Sequence, residues 1–171
     1  MGKRYKFSVD ISAKHGGVTG SCILVSVHSP RGTTKFLVDC GLYQGEPDSE
    51  AKNNAPLDFK ATELDFVLIT HNHTDHIGRL PVLYKYYYGG KVHTTVDTKK
   101  MLSIALKDNA KIIKMYAEKN KKKPIYNEDD VENTVSNIEE HEFYETFEPH
   151  PDINVTMFPN GHLVGAAVIL V

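Results

Sequence analysis

The run His71-Asn72-His73-Thr74-Asp75-His76 follows directly on the apolar segment Phe66-Val67-Leu68-Ile69, and no other stretch restricts the chain so closely. Three imidazoles and one carboxylate converge within six residues at the end of a buried-looking strand. A polar loop whose histidines cap a helix is the competing explanation, but it accounts for a lone histidine better than for four donors in this order. An extended backbone directs residues two apart to one side, so His71 and His73 can close on one cation. Asp75 and His76 then point elsewhere and can begin a second site. Nitrogen and oxygen donors without thiolate suit zinc in an open-coordinated, catalytic state; manganese or iron also accept such a set.

At 171 residues the chain is long enough for one domain with a sizeable core. A formal net charge of -2 gives no global attraction for a polyanion, so nucleic acid would have to be held by local patches and by metal. Two cysteines, Cys22 and Cys40, make no disulfide framework. Met1 to Lys6 is charged and leads into no apolar signal segment, so reduced thiols and a cytoplasmic location are expected. No apolar run approaches membrane-spanning length.

Tyr5, Phe7, Val9 and Ile11 alternate with polar residues, the period of a half-buried outer strand. Gly16, Gly17 and Gly20 follow, and because a strand rather than a helix comes next, they read as a turn and not as a phosphate cradle. His15 reads as a surface residue. Ser21 to Val27 and Lys35 to Cys40 flank hairpin-loop chemistry at Pro30-Arg31-Gly32. Asp39 closes the second of these strands, where a carboxylate is costly unless paired, making it a candidate orienter of a metal-ligating histidine. Residues 42 to 60 read as a long polar loop near the metal mouth.

Pro81 suits the first turn of a helix, and Tyr84, Tyr86, Tyr87 and Tyr88 read as packing. A strand is expected at Lys91 to Thr95, then a long helix from about Thr98 to Asn120 with an apolar stripe of Leu102, Ala105, Leu106, Ile112, Ile113 and Tyr116. Lys121 to Lys123 complement that helix's C-terminal dipole. A further helix from about Glu128 to Ile138 begins at an Asn127 cap. Strands resume near Glu142 to Phe147 and Ile153 to Phe158, with a solvent-facing His150 in the turn between. Gly161 lets the backbone turn sharply, so that His162 can face the histidine cluster.

These residues carry a resemblance. His71 to His76 resembles the HxHxDH signature of the metallo-β-lactamase fold. Gly16 to Cys22, Leu37 to Gly45, Gly78-Arg79-Leu80-Pro81 and Gly161 to Ala167 resemble segments of its β-CASP branch of RNA- and DNA-processing nucleases, from about Gly16 to the last residue. The resemblance implies an α/β (α+β) fold, an αββα sandwich of mixed, largely antiparallel sheets with helices on the outer faces. It implies that His71, His73 and His162 hold one zinc ion and Asp75 and His76 another, with Asp39 beside them; Asp75, His76 and Asp39 are the candidate catalytic residues.

Against the family pattern, the bridging aspartate, the cap domain and further histidines do not follow Val171. Residues 1–171 are therefore expected to be a partial metallo-β-lactamase domain with a weakly held second ion. The implied activity is metal-dependent phosphodiester hydrolysis of RNA, or of DNA, by two divalent ions, with endo- or exonucleolytic action open. Expected partners are RNA or single-stranded nucleic acid, the remaining domains of a parent enzyme, and a second copy in a homodimer, with no membrane. A small-molecule metallo-hydrolase of thioesterase or lactonase type is the alternative, because fold does not fix function. A catalytically incomplete metal-binding fragment is another.

Overall fold

The computed structural model describes residues 7–14 and 19–171. Tyr5, His15, Gly16 and Gly17 lie outside them. Strands β1 (Ser8–Ala13), β2 (Ile23–Ser29) and β3 (Gly32–Val38) form an antiparallel meander. From there β4 (Phe66–Leu68), β5 (Lys91–Thr95) and β6 (Ile138–His141) add in parallel, giving a six-stranded sheet in sequence order. A smaller antiparallel sheet holds β7 (Thr146–His150), β8 (Ile153–Pro159) and β9 (Ala167–Leu170). The sheets are thus mixed, and the parallel half arises where helical crossovers return the chain to the same edge.

Period-two alternation assigns the two faces of the large sheet. Leu37, Val67, Ile69 and Val92 face a helical layer, while Phe36, Phe66 and Leu68 face the small sheet and meet Ile153, Val155 and Met157. Phe36 and Phe66 stack there with centroids 4.6 Å apart. Burial on both faces explains why β4 reads as an unbroken apolar run rather than an alternating one. The helical layer comprises α3 (Leu80–Lys85), α4 (Val96–Lys119) and α5 (Glu128–Ser136). Two shorter helices, α1 (Ser49–Asn54) and α2 (Thr74–Ile77), lie in loops.

Thr95 caps α4 by accepting from the Thr98 N–H. The α4 stripe is narrower than the sequence suggests: Leu102, Leu106 and Ala110 are buried, but Ile112 and Tyr116 are exposed, because only one helix face meets the sheet. Asn127 and Asp130 close a reciprocal capping box on α5, which stops at Ser136 rather than Ile138. The chain then extends at once into β6, satisfying the edge of β5. Strand β7 correspondingly starts later and runs through His150, whose Nδ1 lies 3.1 Å from the hydroxyl of the buried Thr34, so His150 is not simply solvent-facing. The expected polar loop contains α1. Val9 and Ile11 on β1 are both exposed; no layer covers that edge among the described residues. Tyr88 is buried, whereas Tyr86 and Tyr87 are exposed. Cys22 and Cys40 are both buried in the helix-side core.

Candidate metal centre

The histidine run begins where β4 leaves the sheet, at the carboxyl end of the parallel strands, where open α/β sheets place their ligands. The backbone stays extended through His73 and then coils into α2. This change of conformation separates the donors: His71 and His73 remain on the extended part, while Asp75 and His76 ride the helical turn. His71 Nε2 and His73 Nδ1 stand 3.2 Å apart, and His162 Nε2 reaches within 3.2 Å of the same His73 nitrogen. All three donors lie within 4.8 Å of one another. Ligands on a tetrahedral zinc, at about 2.0–2.1 Å from the metal, sit about 3.3 Å apart, so the three imidazoles fit a zinc ion with little movement. His71 is buried, whereas His73 and His162 are exposed, leaving the outer side open to solvent.

His162 arrives from the loop between β8 and β9, which is tied to the large sheet at two points. The Thr95 and Thr98 hydroxyls both donate to the Gly165 carbonyl, at 2.7 and 2.9 Å. The Ala167 N–H donates to the Thr70 carbonyl at 2.9 Å. Gly165 has φ +84, and a Cβ there would lie 2.6 Å from the Thr98 nitrogen. Only glycine therefore lets the loop come this close.

A second group of donors adjoins the first. His76 Nδ1 lies 2.7 Å from Asp39 Oδ2, and His76 Nε2 lies 3.7 Å from Asp75 Oδ2. Its ring centroid is 3.9 Å from that of His71. Asp39 is 2% exposed and has φ 62, a left-handed conformation uncommon for a residue with a side chain. Its carboxylate accepts from the Thr70 N–H at 2.9 Å, from the Thr70 hydroxyl at 2.9 Å and from the Ser21 hydroxyl at 3.4 Å.

These contacts fix the ring tautomers. A carboxylate only accepts, so the Thr70 hydroxyl spends its proton on Asp39 and must accept from His71 Nδ1, 2.9 Å away. That leaves the His71 Nε2 lone pair aimed at His73. His76 likewise donates from Nδ1 to Asp39 and turns Nε2 toward Asp75. Asp39 thus orients both rings, one directly and one through Thr70. Burial, followed by the neighbouring His76, pushes His71 down to about 4, keeping it neutral. Burial opposes charge on His76 too, but the Asp39 hydrogen bond and charge, with Asp75, outweigh it and raise that group.

The expected site residues His71, His73 and His162 therefore come together, with Asp39, Asp75 and His76 as a contiguous neighbour set. Thr70 and Gly41 escaped the sequence reading. Thr70 looks like the last residue of a strand, and its relay exists only because Asp39 folds back against it. Gly41 packs on the backbone of Asp75, where a Cβ would stand 1.6 Å from the carbonyl oxygen. The backbone of residues 39–42 is stitched to this run by Cys40 N–H to His76 O and Leu42 N–H to Thr74 O. A cleft of about 530 Å³ opens further along, between the 42–54 segment and the end of α4, lined by Tyr43, Tyr116 and Lys123. Lys122 beside it is engaged by Glu50.

The family model described as the metallo-beta-lactamase superfamily matches residues 15–163. The chain is 34% identical over 153 residues to Ribonuclease TTHA0252 of Thermus thermophilus, covering 90% of this chain and 32% of that protein. It is 33% identical over 137 residues to transcription termination factor FttA of Methanococcus maripaludis, covering 79% and 21%. The chain thus spans about a third or less of the length of these relatives. Among solved structures it resembles the metallo-beta-lactamase SMB-1 in complex with mercaptoacetic acid, with a TM-score of 0.52 and 18% identity over 94% of this chain and 57% of that one. A metallo-beta-lactamase of Cronobacter sakazakii with a HARLDQ motif aligns with a TM-score of 0.50 and 17% identity, covering 92% and 55%. At this identity the likeness is one of fold.

Proposed function

Because the chain belongs to the metallo-β-lactamase superfamily, we propose that it is of the β-CASP branch and carries the ion-holding part of a metal-dependent phosphodiester hydrolase acting on RNA. The observation that carries this reading is the meeting of His71 and His73 with His162, 89 residues further along the chain, beside the Asp39, His76 and Asp75 set. Such geometry at the carboxyl edge of the sheet has no use in core packing, because two of the three imidazoles are exposed. The name of the Thermus relative, a ribonuclease, favours RNA over a small thioester or lactone.

In this reading His71, His73 and His162 hold one divalent ion, zinc by donor chemistry, and Asp75 and His76 offer donors to a second. When bound, divalent ions in such sites supply Lewis-acid polarisation of a phosphoryl oxygen and a nucleophile at neutral pH. The chain's own part is positioning. Neutral His71 presents Nε2 because its Nδ1–H donates to the Thr70 hydroxyl, and His76 presents Nε2 because its Nδ1–H donates to Asp39. Asp39 is accordingly a positioning residue, while Asp75 and His76 face the reacting centre. The open outer side of the cluster leaves room for a phosphate between two nucleotides. No helix among the described residues is long and apolar enough to cross a membrane, and the cytoplasm is the proposed compartment.

Zinc-loaded protein, as this chain and at the full length of its relatives, should be assayed on labelled RNA, DNA and a thioester. Cleavage of RNA that disappears in His73→Ala and falls at least tenfold in Asp39→Asn supports the reading. Thioester hydrolysis without RNA cleavage at full length overturns it.

A further inference from the structure

A second cluster lies across another strand pair. His93 is on β5, Glu139 and His141 are on β6, and the parallel register sets His93 beside Glu139 and Thr95 beside His141. Strand alternation puts all three side chains on one face, opposite Val92 and Ile138, which enter the helix-side core. His93 Nδ1 lies 3.0 Å from His141 Nε2 and 3.6 Å from Glu139 Oε2, and one donor atom from each residue falls within a common 4.8 Å. From this convergence we propose that His93, Glu139 and His141 form a separate site for a divalent transition metal of the zinc class, one that pins the edge strand β6 to β5. The proposal does not depend on the nuclease reading.

A hydrogen-bonded histidine pair is the simpler explanation, and it fits less well. One proton shared between the imidazoles satisfies His93 and His141 but leaves the Glu139 oxygen 3.6 Å away, beyond hydrogen-bonding reach. Ligands bonded to a tetrahedral zinc at about 2.0–2.2 Å stand about 3.3–3.5 Å apart, between the two separations found. The rings are held in place before any ion arrives. His93 is 4% exposed, with Phe66 edge-on to it at 6.1 Å between centroids. Phe147 of the small sheet stacks on His141, with centroids 3.4 Å apart and planes 7° from parallel.

Burial, and then the neighbouring His141, hold His93 down to about 4; burial lowers His141 as well. Both rings therefore offer lone pairs at neutral pH. The Glu139 side chain is about half exposed, which gives an ion a way in from solvent and a place for a water as fourth ligand. Lys91 Nζ approaches Oε1 of Glu139 at 4.0 Å, leaving Oε2 for the metal. Two histidines and a carboxylate favour zinc, cobalt or nickel over magnesium or calcium. Leu68, three residues before His71, is the register partner of His93, so the two centres stand about 10 Å apart along the strands.

The test counts ions. The metal-stripped full chain is titrated with Zn2+ and with Co2+, reading bound equivalents by elemental analysis and cobalt coordination by visible absorption, with circular dichroism to monitor folding. His141→Phe, which keeps a ring against Phe147, should bind one equivalent fewer than wild type. His71→Ala/His73→Ala should retain one equivalent and a zinc-dependent rise in melting temperature, both lost when His141→Phe is added. Glu139→Gln should weaken that equivalent at least tenfold. An unchanged count in His141→Phe, or no stoichiometric ion in folded His71→Ala/His73→Ala, overturns the proposal. The first comparison decides the matter even if the second variant fails to fold.

Discussion

Replacing Gly41 by alanine adds a single methyl group, and the structure gives the size of its effect. The new carbon would stand 1.6 Å from the Asp75 carbonyl oxygen, 2.1 Å from its carbon and 2.7 Å from the His76 nitrogen. These are backbone atoms, so no side chain can rotate away, and the two segments must separate by about 2 Å to reach ordinary contact. Gly41 has no positive φ, so the effect comes from the clash and not from backbone conformation. Separation breaks the bonds that join the segments: Ser21 N–H to Asp75 O at 2.7 Å, Cys40 N–H to His76 O at 2.7 Å, Leu42 N–H to Thr74 O at 3.1 Å and Arg79 N–H to Cys40 O at 2.9 Å. At about 1 kcal/mol net for each, the loss is about 3–4 kcal/mol, a large part of a typical domain's 5–15 kcal/mol. Because Asp39 lies two residues away, its grip on His76 and Thr70 goes with them. Urea unfolding of metal-stripped protein, followed by circular dichroism, reads the stability, and zinc stoichiometry reads the site. Gly89→Ala, where an added Cβ meets nothing within 4 Å, serves as the control and should change stability by less than about 0.5 kcal/mol. Gly41→Ala behaving like Gly89→Ala, with zinc uptake intact, would refute the close-approach reasoning.

Two further outcomes follow from buried phenols. The Tyr126 hydroxyl is buried without a hydrogen-bond partner among the described residues, so Tyr126→Phe should leave stability unchanged or raise it by about 1 kcal/mol, as measured by the urea midpoint; a loss above that size would mean the hydroxyl is satisfied. Tyr88, whose hydroxyl donates to the Lys91 carbonyl at 2.8 Å, is pushed by burial, with Tyr84 and Asp65 adding, far above the ordinary tyrosine value. With the folded-state pKa raised, its contribution is whole below pH 10 and is lost as pH rises, at about 1.4 kcal/mol per pH unit. Tyr88→Phe should therefore start about 1 kcal/mol less stable and close that gap above pH 10; parallel curves in alkaline unfolding would contradict the assignment.

What could be read in advance was what is local along the chain. His71 and His73 are two apart on extended backbone, so their convergence follows from strand geometry alone. The Asn127 cap needs only its own helix. His162 was within reach because Gly161 precedes it and a resemblance supplied its partners. Residues joined by register across strands gave no such signal. His93 reads as one polar residue in a short strand, and Glu139 and His141 fall between the helix expected to about Ile138 and the strand expected from Glu142, so their meeting is visible only once β6 pairs with β5. Asp39 was recognisable as a costly buried charge, but its left-handed backbone and the Thr70 relay were not, since both depend on how residues 39–42 pack against the 74–79 segment.

The tether at Gly165 sets an order of assembly. Without the residues beyond 160 the first ion's site holds His71 and His73 but lacks His162, and two imidazoles grip zinc more loosely than three. The missing donor is drawn in only after the small sheet forms and Thr95 and Thr98 take hold of the loop. Capture of an ion by His71, His73 and His162 thereby waits on both sheets, whereas the donors of His93, Glu139 and His141 meet as soon as β6 pairs with β5.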